Sequence, residues 1–170
     1  MSLPSVEPLI EKLGKALIPY FSSSDSQPII VGIETGGAWI AERLQQRIAP
    51  GAELGRLNIS FYRDDFTRSG LHPTVKPSSL PTDIDDRTIV LVDDVLHSGR
   101  TVRAAMNEIF DYGRPKRIIL AILIDRGERE IPIQADFVGA TLELDSGSHI
   151  KLDGPDPLRL VIKSLESHAG

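Results

Sequence analysis

The sequence predicts an α/β fold with a mainly parallel central sheet flanked by helices, and three observations carry that prediction. Strand-like and helix-like segments alternate along the chain. The strand-like segments Ile29–Ile33 and Thr88–Val92 are continuous apolar runs, the pattern of strands buried on both faces of a parallel sheet. Each of these runs stops abruptly at small or acidic residues and is followed by a helical pattern. At 170 residues the chain is expected to form one domain (1–170) with a core of useful size.

The elements follow in order. Pro8 to Leu17 places Leu9, Ile10, Leu13, Ala16 and Leu17 on one helical face, so a packing helix is expected there. Ser22 to Pro28 reads as a polar loop and Ile29 to Ile33 as a strand. A helix is expected from Ala38 to about Ile48, and a strand from Leu57 to Tyr62. The stretch from Arg63 to Asp86 is long and polar, with Pro73, Pro77 and Pro81; loops of that length inside a compact domain usually serve function. Thr88 to Val92 is the next strand, and a helix starting near Thr101 carries Val102, Ala105, Met106, Ile109 and Phe110. Arg117 to Ile124 reads as a strong strand, and Phe137 to Leu144 as a weaker one.

Composition excludes several function classes. There is no cysteine, so disulfides and zinc–thiolate sites are ruled out. His72, His97, His149 and His168 show no metal-ligand spacing. No apolar run approaches a membrane span, and Met1-Ser2-Leu3-Pro4 lacks the basic start and apolar core of a signal peptide, so a cytoplasmic protein with no membrane association is expected. The net charge of −5 argues mildly against non-specific nucleic-acid binding while leaving room for one local basic face.

The chemistry concentrates between Thr88 and Thr101. Asp93 and Asp94 stand side by side at the end of a buried strand, where open α/β folds place their ligands. Such a pair accepts hydrogen bonds from sugar hydroxyls, or holds a hydrated Mg²⁺ that also touches phosphate oxygens. In the loop Val95, Leu96, His97, Ser98, Gly99, Arg100, Thr101, Gly99 permits a turn with inward N–H groups, and Ser98 and Thr101 add hydroxyls. The helix that follows presents unsatisfied N–H groups and its positive dipole end, a seat for a phosphate monoester. A solvated turn and an ordinary helix cap would explain any one of these features, but not their full order. Thr35, Gly36 and Gly37 repeat the arrangement after Ile29–Ile33; alone they would be explained by helix–sheet packing, and beside the first site they suggest a second anion site. Arg63, Arg68, His72 and Lys76 lie in the long loop, which composition alone leaves as a solvated loop. Asp125, Arg126, Gly127, Glu128, Arg129 and Glu130 follow a strand at the edge of the sheet, and a charged turn with internal salt bridges accounts for them equally well.

The Thr88–Thr101 segment closely resembles the phosphoribosyl pyrophosphate (PRPP) signature of the type I phosphoribosyltransferase family. Ile59 to Asp65, Asp111 to Pro115 and Asp125 to Pro132 resemble the pyrimidine-operon regulators of that family, which also have uracil phosphoribosyltransferase activity. The similarity runs from about Ile30 to Ala140. It implies the type I phosphoribosyltransferase fold, with a flexible loop over about 63–86 and a small hood from the N-terminal helix and about 125–165. Its implied activity converts uracil and PRPP to UMP and pyrophosphate, with UMP or UTP sensed at the same site. Asp93 and Asp94 would hold the ribose hydroxyls and Mg²⁺-linked water, with no direct protein metal site. Val95 to Thr101 would cradle the 5′-phosphate, and Thr35 to Gly37 the pyrophosphate, in a loop where family members often hold a non-proline cis peptide. Arg63, with Tyr62 at the loop base, would face the leaving group, while Asp64 and Asp65 would orient neighbouring cations.

The same resemblance assigns Asp125, Arg126 and Arg129 to the base pocket and to a surface for the leader of pyrimidine-operon messenger RNA. A homodimer or larger homo-oligomer is implied too. The sequence departs from the family pattern at two places. Gly36 stands where many relatives have Arg, and Glu128, Gln134 and Ala140 stand where RNA-binding relatives are commonly basic, leaving Arg129 alone. Each lost phosphate contact lowers RNA affinity steeply through counterion release. Three readings therefore stand side by side: a uracil phosphoribosyltransferase, a nucleotide-sensing regulator with little activity, and a phosphoribosyltransferase for another base.

Overall fold

The computed structural model describes residues 2–22, 26–59, 77–81 and 83–164. In chain order the elements are α1 (Val6–Ser22), β1 (Ile29–Ile33), α2 (Gly36–Ile48), β2 (Leu54–Leu57), β3 (Thr88–Leu96), α3 (Arg100–Tyr112), β4 (Arg117–Asp125), β5 (Phe137–Thr141), β6 (Ser148–Asp153) and β7 (Arg159–Ser164). Strands β1 to β5 form one parallel sheet in the order β2-β1-β3-β4-β5, and β6 and β7 form a separate antiparallel hairpin.

Every residue of β1 is buried, which is why its sequence is apolar throughout and does not alternate. Successive residues still divide between two faces. Ile30, Val90, Val92, Ile119, Ala121 and Leu123 pack with α1, α2 and the hairpin residues Ile150, Leu152, Leu158 and Leu160. Ile29, Val31, Ile89, Leu91, Leu120 and Ile122 pack against Val102, Ala105 and Ile109 of α3 on the other side. The parallel sheet and flanking helices expected from the sequence are therefore present.

Several boundaries differ from the sequence expectation, each for a visible reason. Helix α1 runs past Leu17 and through Pro19 to Ser22, because Phe21 continues the buried stripe of Ile10, Leu13 and Leu17. Helix α2 starts at Gly36, two residues before Ala38, so the two glycines form its first turn. Strand β2 occupies Leu54–Leu57, pairing Ile30 with Leu54 and Ile33 with Leu57, where a strand over Leu57–Tyr62 was expected; Ser60 to Tyr62 lie outside the described residues. Gly55 and Arg56 disguise this strand, yet Leu80 lies across Gly55 and Ser79 bridges Arg56 in both directions. Strand β3 continues four residues beyond Val92, because its ladder with β4 extends to the Leu96–Asp125 pair. Strand β4 is covered by β5 on its outer side and is not an edge strand, and β5 stops at Thr141 short of Leu144. The β6–β7 hairpin was not anticipated.

Helix α2 lies unusually close to the sheet. A Cβ on Gly32 of β1 would fall 2.5 Å from the Ala38 Cα and 2.7 Å from the Gly37 carbonyl oxygen. These are main-chain atoms that cannot swing aside. Gly32→Ala should cost about 1–3 kcal/mol through overpacking, read as a lower urea midpoint; an unchanged midpoint would contradict the close approach.

Candidate active site

The carboxyl ends of β1, β3 and β4 lie side by side on one edge of the parallel sheet. From β1 the chain turns to β2 on one side, while β3 lies on the other, so the β1/β3 boundary is the switch point at which α/β sheets open a crevice. Both anion-binding segments expected from the sequence flank this boundary.

On the β3 side, Asp93 and Asp94 belong to the strand itself. Asp93 is 5% exposed and Asp94 half-buried. The Asp94 N–H donates to Asp93 Oδ1 at 2.9 Å, and the Val95 N–H donates to Asp94 Oδ1 at 2.8 Å, so both carboxylates are steadied by main chain. On the β1 side, Thr35 caps α2 with its main chain while its side chain makes no capping bond. The Glu34–Thr35 peptide bond is cis. Gly36 and Gly37 then lie directly against Asp94 and Asp93 respectively. The structure thus brings the acidic pair and the glycine pair into contact across two adjacent strands.

The loop after β3 turns at Gly99, whose φ of 91° is the left-handed conformation glycine favours. A Cβ there would press on Ile131 at 3.0 Å and Ile133 at 3.2 Å. The loop is strapped to the segment after β4: the Arg126 N–H donates to the Leu96 carbonyl, and the Glu130 and Ile131 N–H groups donate to the Ser98 carbonyl. Ser98 Oγ accepts from the Arg100 N–H at 3.2 Å, which shapes the entry to α3. The first amides of α3 have no carbonyl of their own helix to bond and sit at its positive end. Leu96 is packed in the core and Val95 is partly buried against it, so neither offers a ligand more than its main chain. His97 leans on Glu128 at 3.2 Å, and Arg100 is paired with Glu130 at 2.5 Å. Thr101 is half-buried in the first turn of α3.

In the segment after β4 the Arg126 side chain is 7% exposed, donates to the Ser148 carbonyl at 3.2 Å and pairs with Glu128. It ties the end of β4 to the hairpin. Arg129 is also engaged internally, with two bonds to Asp125 at 2.7 and 2.9 Å and further bonds to the Ile133 and His97 carbonyls. The internal salt bridges that the charged-turn reading described are the ones observed. Asp125, Arg129, Pro132, Ile133 and Gln134 line a depression of about 360 Å³ beside them. Ile131 and Ile133, which buttress Gly99, were not singled out from sequence; an Ile-Pro-Ile run after a charged turn carries no sign of that role.

Arg63 and its neighbours Tyr62, Asp64, Asp65, Arg68, His72 and Lys76 lie outside the described residues. The two ends of the segment that contains them are joined: the Asn58 N–H donates to Ser78 Oγ at 2.8 Å, and Ser78 Oγ also bonds Glu108 of α3. Among the described residues no group of three or more His, Asp or Glu side chains is placed to hold a metal ion. The two carboxylates of Asp93 and Asp94 are hard oxygen donors that fit a hydrated Mg²⁺ completing its shell with water and substrate oxygens.

Comparison with known proteins agrees with this geometry. A family model described as a phosphoribosyl transferase domain matches residues 5–151. A bifunctional protein PyrR from Pseudomonas aeruginosa is 50% identical over 168 residues, covering 98% of this chain and 99% of that one. The bifunctional protein PyrR of Nitrosococcus oceani is 55% identical over 143 residues, 83% of this chain and 81% of the relative. Among solved structures, a hypoxanthine-guanine phosphoribosyltransferase from Bacillus anthracis superposes with a TM-score of 0.65 at 22% identity, over 84% of this chain and 83% of its own. A purine phosphoribosyltransferase from Pyrococcus horikoshii gives 0.61 at 23% identity, over 84% and 86%. At that identity the structures speak for the fold alone.

The Asp125–Arg129 pair has a pH signature. Hydrogen bonding from Arg129 holds the Asp125 carboxyl below the usual aspartate range, with help from the Gly127 N–H and against a burial penalty. A carboxylate depressed on folding stabilises the protein above its unfolded pKa, and that stabilisation is lost as pH falls through the folded value. Asp125→Asn should therefore cost on the order of 1–2 kcal/mol at pH 7, and the gap to wild type should close in acid. A gap that does not change with pH would contradict this assignment.

Proposed function

The chain belongs to the phosphoribosyl transferase family, and on that premise we propose that it transfers the phosphoribosyl group of PRPP to uracil, giving UMP and pyrophosphate. The observation that carries this reading is the contact of Asp93–Asp94 with Gly36–Gly37 across β1 and β3. It brings a sugar-binding acidic pair and an anion-binding helix start into one crevice, with a second helix start beyond the Gly99 turn.

In this reading the N1–C1′ bond forms as the bond from C1′ to the pyrophosphate oxygen breaks, and the N1 proton passes to water. Asp93 and Asp94 accept hydrogen bonds from the ribose hydroxyls and stand near the positive charge that develops at C1′. The main-chain amides of residues 97–101, with the Ser98 and Thr101 hydroxyls, hold the 5′-phosphate. Thr35, Gly36 and Gly37 receive the pyrophosphate at the start of α2, and Arg63 adds a cation to it. Asp93 and Asp94, together with the substrate, would hold Mg²⁺, which would supply charge neutralisation on the phosphate oxygens. Positioning and electrostatic stabilisation carry the rate, with no covalent intermediate.

UMP and UTP would fill the same crevice, and a regulatory role would read that occupancy. The engagement of Arg126 and Arg129 inside the protein speaks against a messenger-RNA leader bound over residues 125–134. The uracil edge would meet main-chain groups near the depression beside Asp125. The charged metabolites involved belong to the cytoplasm, and among the described residues no helix is long and apolar enough to cross a membrane.

The test mixes protein, Mg²⁺ and PRPP with each free base and measures pyrophosphate release. Release that depends on uracil, and falls by about tenfold or more in a folded Asp94→Asn variant, is the expected result. Release driven by a purine instead, or full activity in the variant, would overturn the base or the role assigned to Asp94.

A further inference from the structure

The start of α2 has an acidic neighbour on either side. Glu34 stands between the end of β1 and Thr35, its N–H donating to the Leu57 carbonyl at 2.8 Å. The Glu34 side chain is 17% exposed, so water screens its charge poorly. Glu42 lies one turn further along α2. Thr35, Gly36 and Gly37 carry no charge of their own. An anion held there by main-chain amides would meet the unfavourable field of both carboxylates. Arg56 of β2 opposes that field. Its Nη1 lies 3.4 Å from Glu34 Oε1, and its Nη2 contacts Glu42 Oε1. In the β1–β2 register Arg56 sits opposite Gly32, two residues before Glu34, so its side chain reaches towards the carboxyl edge of the sheet. The Arg56 main chain is bonded in both directions to Ser79, so the strand does not depend on this side chain, which is 41% exposed.

We propose that Arg56 is a positioning residue for the pyrophosphate subsite: it holds and neutralises Glu34 and Glu42, so that the start of α2 can accept an anion. This rests on the phosphoribosyl reading, in which Thr35 to Gly37 receive pyrophosphate. Arg56 acts through the two carboxylates and does not touch the anion. Without it, the Glu34 carboxylate stands unpaired one residue from the subsite and repels what the amides attract. The 5′-phosphate seat at the start of α3 follows β3, on the other side of β1 from β2, and depends on Arg56 far less.

The experiment measures dissociation constants of inorganic pyrophosphate and UMP by calorimetry in Mg²⁺, at about 0.05 M and about 0.5 M KCl. At low salt Arg56→Gln should weaken pyrophosphate by about fivefold or more, and leave UMP within about twofold of wild type. At high salt the pyrophosphate loss should shrink to about twofold. Arg56→Lys keeps the charge and should stay within about threefold of wild type. The double variant Glu34→Gln/Arg56→Gln should regain most of the lost affinity, because the repelling charge has gone with its partner. A double variant as weak as Arg56→Gln would show direct contact with the anion and overturn the action through Glu34. Unchanged pyrophosphate affinity in Arg56→Gln, or an equal loss for UMP, overturns the proposal as well. Wild type that binds UMP and not pyrophosphate would instead remove the role of Thr35 to Gly37, and the proposal with it. Should Arg56→Gln fail to fold, Glu34→Gln alone decides: it should bind pyrophosphate at least as tightly as wild type, and weaker binding refutes the repulsion.

Discussion

The contact between the first turn of α2 and the end of β3 is the constraint on which the rest of this structure depends. Gly32 lets α2 settle onto β1, and Gly37 lets its first turn reach the Val92 carbonyl and the Asp93 Cα. Only glycine permits a helix to start that near a parallel sheet. The approach sets the mouth of the crevice, because it brings the amides of α2 within reach of two carboxylates on the next strand. A helix lying one side chain further out would separate the acidic pair from the start of α2.

The second organising feature is electrostatic. The segment after β4 carries three acidic and two basic side chains between Asp125 and Glu130, and they are paired with one another or with the loop after β3. Arg129 bonds Asp125, Arg126 bonds Glu128, Glu128 also meets His97, and Glu130 meets Arg100. Together with the main-chain bonds to Leu96 and Ser98, they fix the loop after β3 against the end of β4. Cations held this way tie the segment after β4 and the loop after β3 into one arrangement.

Much of this was legible in sequence, and what was missed has physical reasons. Continuous apolar runs revealed β1, β3 and β4, since burial on both faces leaves no room for alternation. The acidic pair and the Gly99 turn could be read because each residue type has a local chemical use. The start of α2 was misplaced because glycine is a poor helix former, and its value here is space that another strand occupies. The β6–β7 hairpin leaves only a short signal, the alternation of buried Ile150 and Leu152 with exposed His149, Lys151 and Asp153. Burial of Arg126 was not readable at all, because its partner is the main-chain carbonyl of Ser148, on a hairpin far along the chain.

The most direct test of the central claim, that the β1/β3 crevice holds a phosphoribosyl group, is a crystal structure of the protein with UMP and Mg²⁺. The account predicts the 5′-phosphate on the amides of residues 97–101 and the ribose hydroxyls on Asp93 and Asp94. A nucleotide bound elsewhere, with its phosphate on Arg126 or Arg129, would contradict it.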